Sequence, residues 1–453
     1  MKLNTGEIKN KFIISIKKYL IETKRSKINI SLSPLCFFTT WARTLGYVNM
    51  MRIRKMTRLN DLFFFFKNII LIGFDHDLQL EFNDKNIKKN KQSKRIIVTY
   101  CKKDHFDKYG NYSDNILHIN SRNYSEYLWV LISIDNFKPQ KIKNNIYIFR
   151  KKINKSFSII YLLKKILCTI IHNKLSVRKI FHYLSQDYNK TQIIYKNFKK
   201  IFINEKIKSI LINYEGIPYQ NSIFRACKEI DKKIKTVGYL HPAPWPIQTD
   251  LFLKDNFIDL LIVSGKSQKN NLVKNFGWNK KKVINSTSVR FTKTNKNEFG
   301  GYFFVPYEIF KSKIYLEKFK YFIKNLPRRK YNRLAVRIHP LNKKSEKHIQ
   351  FKNDIKNILS IYNNRFFNSK KKTTSIFLGP ATGVMVQTLE EGNEVIHIPS
   401  DLIFDVFTSK IWKDIKSVQL AKGVYKYRLL KKNKLFNVNN LNNKFERYIL
   451  PKI

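Results

Sequence analysis

Acidic residues are scarce in this chain. Asp and Glu number 32 against 88 Lys and Arg over 453 residues, which gives a formal charge of +56. Such an imbalance first suggests a polyanionic partner, either nucleic acid or an anionic membrane. The basic residues do not gather on one arm or helix, as a dedicated nucleic-acid surface requires. Lys, Asn, Ile, Phe and Tyr are abundant together while Gly and Pro number only 14 and 12. That coupling is the mark of AT-biased codon usage, so no specific nucleic-acid partner is expected. A non-specific attraction to an anionic membrane surface needs only net charge.

Cysteine is equally sparse. Cys36, Cys101, Cys168 and Cys227 lie far apart and form no CxxC pair, which excludes a zinc knuckle, a redox dithiol and a disulfide framework. Long apolar runs are missing too. The stretches 62–73 and 158–171 are broken by Lys67 and Asn68, and by Lys164 and Lys165. Both fall short of the about 20 residues needed to span a bilayer. The first residues lack the apolar core of a signal peptide. A cytoplasmic protein is expected, peripheral to the inner face of the membrane. The hydrophobic share of 43% is enough for a core, and the length suits two domains.

The strand candidates are NIILIGF at 68–74, RIIVTY at 95–100, LWVLISI at 128–134 and NIYIF at 145–149. A helical spacing covers about 155–188. From 207 the pattern becomes regular: KSILIN, KTVGYL, FIDLLIV and KVIN alternate with helical segments. Strands without polar alternation, separated by helices, predict a parallel sheet covered on both faces. The polar stretch near 291–299 reads as a linker, after which the pattern restarts with GYFFV, RLAVRI, TSIFL and EVIHI. A further strand is expected near 365–366. The fold class predicted is α/β, with two Rossmann-like domains facing a central cleft. The expected division is an N-terminal domain over 1–290 with a basic helical region at its start, and a linker over 291–299. A C-terminal domain over 300–425 and a basic helical tail over 426–453 complete it.

Ligands of open parallel sheets sit at the carboxyl ends of strands, so the residues just after each strand are the candidates. Tyr214-Glu215-Gly216 follows the first regular strand. Glu215 there suits a general base, or an acid complementing a helix dipole. His241-Pro242 follows the next strand, in a proline-stiffened loop with Trp245. Arg290, near the domain junction, suits a phosphate or is one more surface charge. His339-Pro340 ends another strand and suits a phosphate contact or proton donation. Gly379-Pro380-Ala381-Thr382-Gly383 opens a helix whose free N–H groups suit an anion, and Gln387 lies one turn further on.

Taken together, the pieces over about 207–400 resemble surface-carbohydrate biosynthesis proteins related to capsule and lipopolysaccharide glycosyltransferases of the GT-B kind. The resemblance is carried by Tyr214-Glu215-Gly216, Gly238-Tyr239-Leu240-His241, the run at 257–265 and Phe276-Gly277-Trp278. Ser288-Val289-Arg290, Arg337-Ile338-His339-Pro340 and the turn at 379–383 before Gly392 complete it. The acid–Gly and His–Pro pair is also similar to the motifs of sialyltransferases, polysialyltransferases and Kdo transferases. The resemblance implies a metal-independent enzyme without a resident cofactor, taking a nucleotide sugar and a glycan or glycolipid acceptor. Glu215 and His339 would be catalytic. Arg290, His339, Gly379, Thr382, Gly383 and Gln387 would bind the donor. Tyr214, His241 and Trp245 would lie on the acceptor side.

The chain departs from the pattern twice. Tyr214 stands where the sialyltransferase motif has a second acid, and Gln387 stands where a ribose-binding Glu is usual. Gln387 leaves open a catalytically degenerate member. Two other readings compete. Asp75-His76-Asp77 matches the metal clamp of GT-A enzymes, and a basic nucleic-acid-binding protein would explain the charge.

Overall fold

Apolar runs without polar alternation become interior strands because both their faces are covered. In the computed structural model, Ile96, Val98, Ile210 and Ile212 pack on one side of the first sheet. Ile97, Leu211, Val237 and Ile262 pack on the other. The structure describes residues 80–81 and 94–453, apart from 152–157, 174–185, 243–250, 252–256, 292–300, 326–334, 363–373, 399–406, 438–442 and gaps of one or two positions. The region 1–60, the strand expected at 68–74, Asp75-His76-Asp77, Trp245, most of the expected linker and the strand expected near 365–366 lie outside the described residues.

The first half contains β1 (Leu80–Glu81), β2 (Lys94–Cys101), β3 (Ser113–Asp114), β4 (Ile119–Asn120), β5 (Tyr127–Ser133) and β6 (Ile146–Lys151). After α1 (Ile159–Asn173) and α2 (Gln186–Phe202) come β7 (Ile207–Tyr214), α3 (Pro218–Ile230), β8 (Lys235–Leu240), β9 (Leu260–Val263), α4 (Lys266–Phe276) and β10 (Val283–Asn285). Apart from the β3–β4 pair, the strands form one sheet in the order β1-β6-β5-β2-β7-β8-β9-β10. Among the described strands of this sheet, only edge strand β1 is antiparallel. Numbered along the chain, the parallel strands read 3-2-1-4-5-6-7. This is the doubly wound Rossmann order with one strand added, and its direction reverses between β2 and β7.

The second half contains β11 (Tyr302–Phe304), α5 (Ser312–Lys324), β12 (Ala335–Arg337), α6 (Glu346–Ile361), β13 (Thr374–Leu378), α7 (Gly383–Glu390) and β14 (Glu394–Ile398). Its parallel strands lie in the order β12-β11-β13-β14, so this sheet reverses between β11 and β13. Phe303, Ile376 and Ile396 pack with Phe319 of α5 and Ile355 of α6. The two Rossmann-like sheets expected from the sequence are both present.

The segment beyond 420 differs from expectation. Instead of helical segments only, β15 (Ile415–Ala421) and β16 (Val424–Leu429) form an antiparallel hairpin on the edge of β14. The alternation in Val-Tyr-Lys-Tyr-Arg-Leu at 424–429 has the period of a half-buried strand, with Tyr425 and Tyr427 buried. A short helix, α8 (Lys444–Tyr448), follows.

The halves are joined by packing and hydrogen bonds. One apolar cluster contains Phe224 and Trp278 of the first half and Phe377 and Trp412 of the second. Asn437 donates its backbone N–H to the Ser264 carbonyl at 2.6 Å and accepts the Ser288 N–H at 2.8 Å. Ser267 Oγ donates to Asp414 Oδ2 at 2.7 Å. On the second half's own side, buried Glu390 Oε1 accepts the backbone N–H groups of Leu435 and Phe436, next to Asn437, at 2.6 and 2.9 Å.

Candidate functional site

Register decides which strand-end residues meet. β7 and β8 are adjacent and parallel, with Tyr214 opposite Leu240. The next residues, Glu215 and His241, therefore emerge side by side, and His241 Nε2 lies 3.0 Å from Glu215 Oε1. Gly216, at φ 80°, lets the chain turn away immediately after the acid. Helix α3 then starts at Pro218, whose missing N–H costs nothing there. Gln220 fixes the turn. Its Oε1 accepts the N–H of Glu215 at 2.8 Å and of Ile217 at 3.2 Å, and its Nε2 donates to the Asn213 carbonyl at 2.7 Å.

The two partners differ in access. The His241 side chain is 2% exposed and that of Glu215 18%. A carboxylate accepts, so the proton between them is on Nε2. Among the described residues Nδ1 is buried without a hydrogen-bond partner. Glu215 is thus the member of the pair that a ligand can approach, and His241 holds it in place. The sequence placed His241 on the acceptor side but did not pair it with Glu215.

Beneath the pair is a buried polar network that no sequence motif announces. Asp114 Oδ2 accepts from Thr99 Oγ1 at 2.5 Å, Tyr112 OH at 3.1 Å and Asn213 Nδ2 at 3.2 Å. Its Oδ1 accepts the N–H groups of Ile116 and Leu117 at 2.7 and 2.6 Å. Thr99 and Asn213 belong to β2 and β7, the strands that flank the reversal of the sheet. Asp114 therefore anchors the β2–β5 connection over the place where doubly wound sheets bind ligands.

His339 follows β12 in the second half. Partial desolvation, with His348 and Lys102 nearby, holds its pKa below the usual histidine range. The imidazole is neutral at pH 7. Lys102 follows β2 of the first sheet, and its charge is the smallest of the three contributions to that lowering. Lys102 was not singled out in the sequence, where it is one of 88 basic residues.

Gly379 follows β13, next to the second reversal. Its φ is 83°, and a Cβ there would come within 3.0 Å of Pro306 Cβ and 3.2 Å of the Tyr315 hydroxyl. Its carbonyl accepts a 2.7 Å hydrogen bond from Nε2 of His397, a fully buried residue of β14. A carbonyl only accepts, so His397 carries a proton on Nε2. Burial lowers its pKa to about 4. Between about pH 6.5 and 4 the unfolded chain therefore binds a proton that the folded chain does not. Stability is full above pH 6.5 and falls as pH drops through that window, by up to about 3 kcal/mol. Urea unfolding at pH 7.5, 5.5 and 4.5 should show this loss, and His397→Gln, which can still donate to Gly379, should remove most of it. An unchanged pH slope in that variant would exclude His397 as its source.

The remaining candidates separate. Thr382 is the N-cap of α7 and Gly383 its first residue, so both sit at the free amide end of that helix. Gln387 Nε2 donates to Glu391 Oε1 at 3.3 Å. Arg290 is exposed; its guanidinium lies 5.3 Å from the Phe291 ring centroid, and its carbonyl is 3.2 Å from His118 Nε2. Tyr214 is a correction. It was expected at the cleft but is 2% exposed, packed against Phe224 and Trp278, with its hydroxyl donating to Asn221 at 2.8 Å. Its inward direction on β7 makes it a core residue. Among the described residues no group of three or more His, Cys, Asp and Glu could hold a metal ion.

No protein-family model and no curated protein sequence matches the chain. Among solved structures, it is similar to UDP-GlcNAc 2-epimerase from Neisseria meningitidis at 11% identity and a TM-score of 0.35, covering 71% of this chain and 85% of that one. It is similar to the lipopolysaccharide outer core galactosyltransferase WaaB at 10% identity and a TM-score of 0.34, covering 67% and 80%. A glycosyltransferase from Rickettsia africae shares 10% identity with a TM-score of 0.31, covering 68% and 80%.

Proposed function

We propose that this protein is a glycosyltransferase. It moves a sugar from a nucleotide-activated donor to a hydroxyl of a surface polysaccharide or lipopolysaccharide acceptor, with inversion and without a metal. The observation that carries this reading is the Glu215–His241 pair at the ends of β7 and β8, next to the reversal of the first sheet. Glu215 takes the proton of the acceptor hydroxyl as its oxygen bonds to the anomeric carbon. The bond from that carbon to the donor phosphate breaks, and the nucleotide leaves with the electron pair. His241 orients the carboxylate. Neutral His339 donates a hydrogen bond to a donor phosphate, and Lys102 offsets its charge. The amides of Thr382 and Gly383, beyond the Gly379 turn, meet the same anion, Gln387 reaches the ribose, and Arg290 is the outermost donor contact.

A second reading, a degenerate member that binds the donor without turnover, is favoured by Gln387, whose amide is engaged by Glu391 at the end of its helix. A thermal-shift panel of CMP-, UDP-, GDP- and dTDP-sugars tests donor binding. The cognate donor at a hundred times its dissociation constant should stabilise the fold by about 2.7 kcal/mol. If no nucleotide sugar raises the melting temperature, both readings fail. Stabilisation without sugar transfer to any glycan acceptor would select the second.

A further inference from the structure

Helix α1 shows apolar residues where a water-facing helix should show polar ones. Ile160, Leu163, Leu167 and Ile171 recur at steps of three, four and four and are 77%, 52%, 55% and 68% exposed. At about 100° per residue these four fall within roughly 80° of the helix circumference. Ile159, 60% exposed, borders them, while Leu162 on the opposite side is 7% exposed and packed inward. A helix with apolar residues on its outer as well as its inner side needs a second apolar neighbour.

The charge around the stripe says what that neighbour is. Over residues 136–186 the sequence has twelve Lys and Arg and not one Asp or Glu. Lys164 lies beside the stripe and is exposed. Aliphatic side chains beside exposed Lys164, in a stretch of sequence without acidic residues, match the two layers of an anionic bilayer surface, acyl chains below and phosphate headgroups above. The helix has 15 residues, about 22 Å at 1.5 Å per residue. Among the described residues, no helix is long and apolar enough to cross a membrane. The orientation that buries the stripe is therefore parallel to the surface. We propose that α1 is a membrane-docking helix that seats this protein on anionic lipid, with Ile160, Leu163, Leu167 and Ile171 among the acyl chains and Lys164 at the phosphates. The inference does not depend on the chemistry assigned to Glu215.

Flotation of the full chain with vesicles tests it, using phosphatidylcholine alone and phosphatidylcholine containing phosphatidylglycerol, at physiological salt. Binding to the anionic vesicles is expected. The variant Ile160→Ser/Leu167→Ser/Ile171→Ser keeps every charge and should bind roughly a hundredfold more weakly. Equal binding by that variant would overturn the proposal, because net charge alone would then account for adsorption. So would failure of the unaltered chain to bind anionic vesicles. A second measurement uses exposed Cys168 on the same helix, labelled with an environment-sensitive fluorophore in a Cys36→Ser background. Its emission should shift to the blue only when anionic vesicles are added. A label already shielded in buffer would mean that another part of the chain, or a second copy, covers the helix, and would also overturn the proposal.

Discussion

Replacing Glu215 by Gln is expected to lower turnover by about 10²–10⁴-fold while leaving the fold and donor binding unchanged. The substitution keeps the shape, and the amide oxygen can still accept the proton of His241 Nε2, now 3.0 Å away. It removes only the ability to take a proton. The loss corresponds to roughly 3–5 kcal/mol of transition-state stabilisation. Turnover with the donor identified by thermal shift is the first readout, and the donor-induced shift itself is the second. Wild-type turnover would end the assignment of Glu215 as base. Loss of both turnover and folding would mean that Glu215 is chiefly structural, and circular dichroism would reveal it.

The largest stability effect is expected at Asp114. Its carboxylate is 2% exposed and accepts from three side chains and two backbone N–H groups. Asp114→Ala takes the acceptor from Thr99 Oγ1 and from the Ile116 and Leu117 N–H groups, while Tyr112 OH and Asn213 Nδ2 keep the Tyr100 carbonyl and Thr99 Oγ1 at 2.6 Å; buried unsatisfied donors cost about 1–3 kcal/mol each before relaxation. Partial rescue by water and by hydroxyl rotation makes a total of about 3–4 kcal/mol reasonable. Asp114→Asn should lose less, because Oδ1 can still accept from Ile116 and Leu117 while an NH₂ group faces Asn213. The order wild type, Asn, Ala in urea midpoint, with faster proteolysis between residues 102 and 120, checks the argument. An Ala variant as stable as the wild type would remove Asp114 as the anchor of this connection.

These two residues mark where the sequence could and could not be read. The strands on which the site rests are legible because parallel sheets demand uninterrupted apolar runs, and β7, β8, β13 and β14 have them. Glu215, His241, His339 and the 379–383 turn follow from looking just past those runs. What sequence does not carry is lateral register. Glu215 and His241 are 26 positions apart, and only the pairing of Tyr214 with Leu240 makes them neighbours. Lys102 is invisible among so many lysines until its charge is found to act on His339. Thr99, Asp114 and Asn213 are single polar residues with no motif, linked only by the sheet order. Tyr214 was misplaced because adjacency to an acid in sequence says nothing about which side of a strand a side chain takes. The β16 strand carries an alternating signal at 424–429, where a basic helical tail was expected from 426.

The last stretch of the chain bears on how the protein is made. Phe445, Ile449 and Ile453 belong to the same buried cluster as Trp129, Tyr239 and Val289, and Lys444 Nζ donates to the Phe291 carbonyl at 3.0 Å. During synthesis the first sheet is translated early, but part of one of its faces stays uncovered until residues some 150 to 320 positions later emerge. At about 5–20 residues per second that face is open for many seconds, and its closure is a contact of high sequence separation, which is slow to form. The first half is therefore the earlier to appear and the later to finish.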